Sequence, residues 1–179
     1  MARKRRETSA QKTKKLAICS ALSALGVVTL ILGSLFGVLD ISMAVIASLF
    51  AIIAVIEYGG SAPWLVFAVT SVLSLMIMPQ NSSAWMYMLF FGYYAIIKEK
   101  LERRNKILSW VFKELIFNAA LAAIFVIGKL LLYKNTSEPL IIYIALIALC
   151  EMVFPIYDIA LTRLISMYVY KIRNRFNFK

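Results

Sequence analysis

The sequence contains no histidine, only two cysteines and only nine acidic residues. Without histidine, the chain lacks the side chain most often used for acid–base catalysis near neutral pH. Cys19 and Cys150 both lie within apolar runs, which argues against a disulfide or a zinc site. The sequence also shows no phosphate-binding loop and no pair of adjacent acids like those of membrane proteases. We therefore expect a protein that is not an enzyme and that carries no cofactor and no metal.

Apolar residues dominate what is present. They make up 62% of the 179 residues, and the mean hydropathy is +0.82. Soluble domains are typically about 45–50% apolar, so this excess indicates an integral membrane protein. A helix needs roughly 20 apolar residues to cross a bilayer, which predicts an all-α bundle of six transmembrane helices. The predicted spans are 16–39, 41–58, 62–78, 84–97, 107–133 and 139–170.

The positive charge is concentrated at both ends and in one central loop. The net charge is +11, and the basic clusters lie in residues 1–15, 98–106 and 171–179. Cytoplasmic loops of membrane proteins carry such an excess of Lys and Arg, so both termini are expected to be cytoplasmic. The clusters would contact anionic membrane lipid. No separate basic domain is present to bind nucleic acid. We expect a basic arm (1–15), a transmembrane domain (16–170) and a basic tail (171–179).

Two features of the sequence leave the number of crossings and the shape of one helix undecided. Spans one and two are joined at Asp40 with almost no linker, so a re-entrant hairpin there would give four full crossings with the same sidedness. Pro155 lies inside the sixth span, where it is expected to kink the helix or mark a local break.

Small residues recur at a spacing of four along the first span. Ala17 and Ala21 lie near its cytoplasmic end, and Gly33 and Gly37 near its outer end. Such pairs share one helix face and let a second helix backbone approach closely. Ala17 and Ala21 are therefore candidates for docking a partner subunit, with ordinary packing inside the bundle as the alternative.

Polar side chains at membrane depth are costly and therefore informative. The depth of each residue predicts an inner polar layer of Glu57, Lys113, Glu114, Asp158 and Arg163, for which we expect a structural or partner-binding role. An outer group contains the candidate ligand-binding residues. This group consists of Asp40, Asn81, Trp85, Tyr87, Lys129 and Glu151. Lys129 and Glu151 could equally form a buried pair, and for Trp85 and Tyr87 an interfacial aromatic belt is favoured over a binding pocket.

The segment from Lys15 to Gly26, KLAICSALSALG, follows a basic arm. With the six predicted spans, it resembles the substrate-binding (S) components of energy-coupling factor transporters, which are small bacterial membrane proteins. The resemblance implies a multi-pass protein of the bacterial cell membrane that binds a vitamin or another micronutrient. It also implies a transmembrane coupling subunit, which would dock at Ala17 and Ala21, and two partner ATPase subunits.

Two other interpretations remain at this point. The rod-shape-determining membrane proteins have a similar size and number of spans, so the chain could be a scaffold of cell-envelope machinery with no small ligand. A self-contained transporter or channel is a third hypothesis, which the short chain and the lack of paired interrupted helices disfavour.

Overall fold

The computed structural model describes residues 8–37, 39–102, 106–128 and 140–172, and these contain helices and turns with no strand. The helices are α1 (Ser9–Phe36), α2 (Asp40–Glu57), α3 (Ala62–Ile77), α4 (Ser82–Met86), α5 (Gly92–Leu101), α6 (Lys106–Ile127) and α7 (Leu140–Met167). A π-helical segment, Tyr87–Phe91, joins α4 to α5, and a second, Tyr168–Ile172, follows α7. If α4, its π segment and α5 are counted as one rod, the described residues form six helices.

Four of these helices are long and apolar enough to cross a membrane. They cover Ser9–Phe36, Asp40–Glu57, Ile107–Ile127 and Ile144–Lys171. Helix α3 is apolar but has only 16 residues, which span roughly 24 Å at 1.5 Å per residue. The prediction of an all-α protein is confirmed for the described residues, with four helices long and apolar enough to cross a membrane.

The chain forms two compact units, Met1–Ile124 and Phe125–Lys179. In the first unit, α1 packs along α2 and α3. One cluster of buried, mutually packed side chains consists of Cys19, Leu22, Ala54, Ala62 and Val66. In the second unit, α7 buries Phe154, Asp158 and Leu161, whose spacing of four and three places them on one helix face.

Helix boundaries differ from the predicted spans where charged residues continue a helix. Helix α1 begins at Ser9, inside the predicted basic arm, and the Thr8 N–H donates to Gln11 Oε1 at 3.0 Å, which caps it. Helix α5 extends to Leu101, so Lys98 lies in a helix and not in the predicted loop 98–106. Helix α7 remains helical through Pro155, so no break interrupts it there.

Glycines form the two tight turns between the first three helices. Gly37 has a φ of 61° after α1, and Gly59 and Gly60 have φ values of 57° and 59° between α2 and α3. Glycine adopts this left-handed conformation without steric cost, which allows the chain to reverse within a few residues. Helices α1, α2 and α3 therefore lie side by side.

Close packing also depends on a glycine inside the rod that α4, its π segment and α5 form. A Cβ atom on Gly92 would lie 2.5 Å from Phe67 Cδ2 and 2.9 Å from Tyr87 Cε1. Both neighbours are ring atoms whose side chains are themselves packed, so they cannot move away freely. The absence of a side chain at Gly92 is what lets α3 approach this rod.

We predict that Gly92→Ala destabilises the protein by about 1–3 kcal/mol, because overpacking forces the two rings out of place. Gly128→Ala is the control, since no atom lies within 4 Å of a Cβ built there. The free energy of unfolding in detergent is the measurement. Equal stability of the two variants would contradict the proposed packing role of Gly92.

Candidate functional site

Helix α1 has two different faces of small residues. Ser23, Gly26 and Gly33 are buried within the first unit. Ala17 and Ala21, the predicted docking residues, are exposed, as are Ser20 and Ala24. The small residues of α1 therefore form two separate surfaces, one inside the unit and one on its outside. Of the two predicted pairs only Ala17 and Ala21 share a helix face, because α1 ends at Phe36 and Gly37 lies in the turn that follows.

The buried face of α1 allows neighbouring helices to come close. A Cβ on Gly26 would lie 2.9 Å from Thr70 Cγ2 on α3, and one on Gly33 would lie 2.5 Å from Ser83 Oγ. The Thr70 hydroxyl also donates to the Ser23 carbonyl, at 3.5 Å. These contacts bring hydroxyl groups from α3 and α4 directly against the backbone of α1.

Three of the predicted ligand residues lie with Ser83 around the start of α4. We call these four residues the outer junction (Asp40, Asn81, Ser83 and Trp85), after the side of the membrane predicted for them from the sequence. The Ser83 hydroxyl donates to Asp40 Oδ1 at 2.7 Å. The Asn81 amide donates to the Leu30 carbonyl at 2.9 Å and accepts from the Ala84 N–H at 3.2 Å. The Trp85 indole donates to the Pro79 carbonyl at 2.8 Å. These bonds tie together α1, α2 and α4.

Local structure accounts for the residue types in the outer junction. Asn81 caps the N-terminus of α4, and Asp40 lies in the first turn of α2, where a carboxylate interacts favourably with the helix dipole. Sequence reasoning missed Ser83, although the run Asn81-Ser82-Ser83 is typical of a helix start. The polar groups of the junction are thus engaged in holding the fold.

Tyr87 differs from the outer junction because it lies wholly in the interior. The side chain has no exposed surface and packs against Leu30, Ala44 and Ala47. The Thr70 side chain lies beside its hydroxyl. Tyr87 is therefore an interior residue, which contradicts a place in an interfacial aromatic belt.

The π-helical segment begins at Tyr87. The Gly92 N–H donates to the Tyr87 carbonyl five residues earlier, instead of to a carbonyl four residues earlier. This register turns the following residues relative to a continuous α-helix, and π turns of this kind are frequent at functional sites. Phe67 of α3 lies beside the Tyr87 ring, with centroids 6.0 Å apart.

The last two predicted ligand residues are placed differently. Lys129 lies outside the described residues, so the expected relation between Lys129 and Glu151 stays a prediction. Glu151 is half-buried on α7 in the second unit. In a regular helix the N–H of residue 155 would donate to the Glu151 carbonyl. Pro155 has no N–H, so this hydrogen bond is missing.

Of the predicted inner layer, Lys113 belongs to a cluster that the sequence did not indicate. The ammonium groups of Lys98 and Lys113 lie 3.0 and 3.2 Å from the same oxygen, Glu102 Oε1. The side chains of Lys98 and Lys113 are only 1% and 5% exposed, whereas that of Glu102 is 40% exposed. The Trp110 ring also lies 5.6 Å from the Lys113 ammonium group. We call these residues the lysine cluster (Lys98, Glu102, Lys113).

The other members of the predicted inner layer differ in burial. Glu57 and Glu114 are half-buried, Asp158 is buried in the second unit, and Arg163 is exposed. Within the part of the chain that the structure describes, no three His, Cys, Asp or Glu side chains are grouped so that they could hold a metal ion.

Comparison of the chain with models of protein families, with curated proteins and with solved structures finds no match.

We predict that Glu102→Gln destabilises the protein by about 1–3 kcal/mol, because two buried ammonium groups lose a shared carboxylate. The partial exposure of Glu102 keeps the effect below that of a fully buried pair. Lys100→Gln, which removes an exposed charge from the same helix, should change stability by less than about 0.5 kcal/mol. Chemical unfolding in detergent measures both, and an unchanged Glu102→Gln variant would show that the cluster does not stabilise the fold.

Proposed function

We propose that this protein is the membrane-embedded substrate-binding subunit of a bacterial importer for a vitamin or another micronutrient. In this proposal it docks through α1 on a transmembrane coupling subunit, which separate ATPase subunits drive. The observation that carries the proposal is the exposed row of small residues on α1, Ala17, Ala21 and Ala24.

The exposed row is unusual because the neighbouring exposed positions are large. Leu16 is 64% exposed and Leu25 is 51% exposed, as expected for side chains in contact with lipid tails. Small residues give up this contact area, but they allow the backbone of another helix to approach closely. Because the buried face of α1 already packs against α2 and α3, the row of alanines remains for a partner outside the unit.

The topology proposed from the sequence fits this role. Helices α1 and α2 are each long and apolar enough to cross, which favours two crossings over a re-entrant hairpin. Helix α3 and the rod from Ser82 to Leu101 would be the third and fourth crossings, with α6 and α7 the last two. Six crossings place both basic termini in the cytoplasm, in agreement with the positive-inside rule.

The exposed row would then lie near the cytoplasmic side, because Ala17 follows the basic residues Lys14 and Lys15. A coupling subunit and its ATPases act from that side. The outer junction and Tyr87 would lie in the half of the protein that faces outward, where a substrate arrives.

The docking surface can be tested with Ala17→Leu and Ala21→Leu. Each should reduce the amount of coupling subunit that co-purifies by about tenfold or more, because a larger side chain separates the two helix backbones. The measurement is quantitative mass spectrometry of the complex isolated from native membranes with the tagged protein.

Ala68→Leu is the matched control, because Ala68 is an exposed alanine on α3 that lies outside the row. It should leave the complex unchanged. A complex that survives both α1 substitutions, or that Ala68→Leu weakens equally, would contradict docking at the row.

A scaffold of cell-envelope machinery is the second candidate function. One observation favours it: the polar groups of Asp40, Asn81 and Trp85 are hydrogen-bonded within the protein, as a protein without a small ligand requires. A scaffold would release no small molecule when the purified protein is denatured. Mass spectrometry of the released molecules separates the two functions, because the importer subunit should release one compound in a stoichiometric amount.

A further inference from the structure

We infer that α6 carries an interaction surface for a second copy of this chain, on which Asn118 of each copy bonds to Asn118 of the other. The inference goes beyond the proposed importer function and does not depend on it, because the surface lies on a different helix from the alanine row of α1. It is carried by the depth of Asn118, by the hydrogen-bonding capacity that remains on its amide, and by the residues around it.

Asn118 lies near the middle of a helix that is long and apolar enough to cross a membrane. The apolar stretch of α6 is Ile107–Ile127, and Asn118 comes eleven residues after its first residue and nine before its last. At 1.5 Å per residue, Asn118 is roughly 17 Å from the beginning of this stretch, close to half the thickness of the hydrocarbon core. Water is not available for hydrogen bonds to a lipid-facing group at that depth.

The Asn118 side chain lies on the exposed side of α6. Ser109, Lys113 and Phe117 are buried, whereas Asn118 is exposed. Ser109 and Asn118 are nine residues apart, which is about two and a half helical turns, so they lie on opposite sides of the helix. When α6 crosses a bilayer, the amide of Asn118 therefore faces lipid or another helix.

The amide of Asn118 has hydrogen-bonding capacity to spare. Within the described residues it makes one hydrogen bond, in which Nδ2 donates to the Glu114 carbonyl one turn earlier at 3.1 Å. A side-chain amide has two N–H groups and an oxygen acceptor, so one N–H and Oδ1 remain for a further partner. A polar group without a partner is costly in hydrocarbon, and asparagine side chains in membrane spans bond across helices.

The chemistry of the amide and the geometry of a membrane favour a second copy as the partner. Copies that are inserted in the same orientation form a closed pair about a twofold axis along the membrane normal, so a residue at the axis meets its own counterpart at the same depth. An amide is both donor and acceptor, so in two facing amides the N–H of each donates to the oxygen of the other. A carboxylate or an ammonium group would instead repel its counterpart.

The residues beside Asn118 allow two α6 helices to pack together. Five exposed residues of α6 recur at alternating spacings of three and four, which is the spacing along which paired helices pack. We call them the α6 seam (Leu108, Val111, Leu115, Asn118 and Ala122). Ala119 and Ala122 are both exposed and lie within about one turn of Asn118. Their small side chains let two backbones come close enough for the short amides to meet.

Self-association of the full-length protein in liposomes tests the inference. Two samples of purified protein, one labelled with a donor dye and one with an acceptor dye, are reconstituted together, and Förster transfer is followed as lipid is added. Wild type should associate, and Asn118→Leu should lower the association constant by about tenfold, because it removes the amide but keeps a side chain of similar size. Asn118→Gln retains an amide and should associate nearly as the wild type does.

Thr162→Val is the matched control for the loss of a polar group. Thr162 is exposed on α7 and, like Asn118, donates to the carbonyl four residues earlier in its own helix, that of Asp158, at 2.9 Å. This bond uses the one proton of the hydroxyl, so no donor remains for a second copy. Thr162→Val should therefore associate as the wild type does.

Oxidative cross-linking locates the contact. The natural cysteines, Cys19 and Cys150, are first replaced by alanine. In this background Ala122→Cys, on the α6 seam, should form a disulfide-linked dimer in liposomes. Ala68→Cys, at an exposed alanine of α3, should not.

A wild type that stays monomeric in liposomes would overturn the inference, as would equal association of wild type and Asn118→Leu. It is also overturned if Thr162→Val weakens association as much as Asn118→Leu, or if Ala68→Cys cross-links as readily as Ala122→Cys. Because Asn118 is exposed, Asn118→Leu should unfold at the same temperature as wild type in detergent, which separates lost association from misfolding. The importer proposal is decided separately, by the coupling complex of the α1 variants.

Discussion

The close approach of α1 to its neighbours is the constraint on which the first unit depends. Within a bilayer no hydrophobic force drives helices together, since lipid tails are as apolar as leucine side chains. Packing area and hydrogen bonds between helices must supply the stability instead. Gly26 and Gly33 supply both, because the missing side chains bring Thr70 and Ser83 directly against the α1 backbone. The Thr70 bond to Ser23 and the Asn81 bond to Leu30 become possible at this short distance.

The same short distances let polar side chains be satisfied within the first unit. The outer junction uses its polar groups on neighbouring helix ends, so that Asp40, Asn81 and Trp85 are hydrogen-bonded within the protein. Tyr87 is fully buried, and the Thr70 side chain lies beside its hydroxyl.

The lysine cluster shows how a charged group can be part of an apolar interior. Lys98 and Lys113 are buried, and both ammonium groups lie on one oxygen of Glu102. Glu102 follows Lys98 by one turn at the end of α5, whereas Lys113 is on α6. The shared carboxylate therefore links α5 to α6. The burial of such charges is tolerated only when each has a close partner of opposite sign.

The sequence by itself determined that the chain is helical and that several of its helices are long and apolar enough to cross a membrane. Apolar runs and flanking charges are local features of the sequence, and each depends on whether its segment contacts lipid or water. The sequence could also indicate that Ala17 and Ala21 share a face, but not that this face is exposed whereas Gly26 and Gly33 are buried. The tertiary structure alone decided that division, the bond between Ser83 and Asp40, and the pairing of two lysines with Glu102. The π register that begins at Tyr87 was likewise not indicated by a periodicity of 3.6, and Phe67 of α3 packs beside the Tyr87 ring there. Such contacts join residues distant in the chain, and no local pattern records which of them meet.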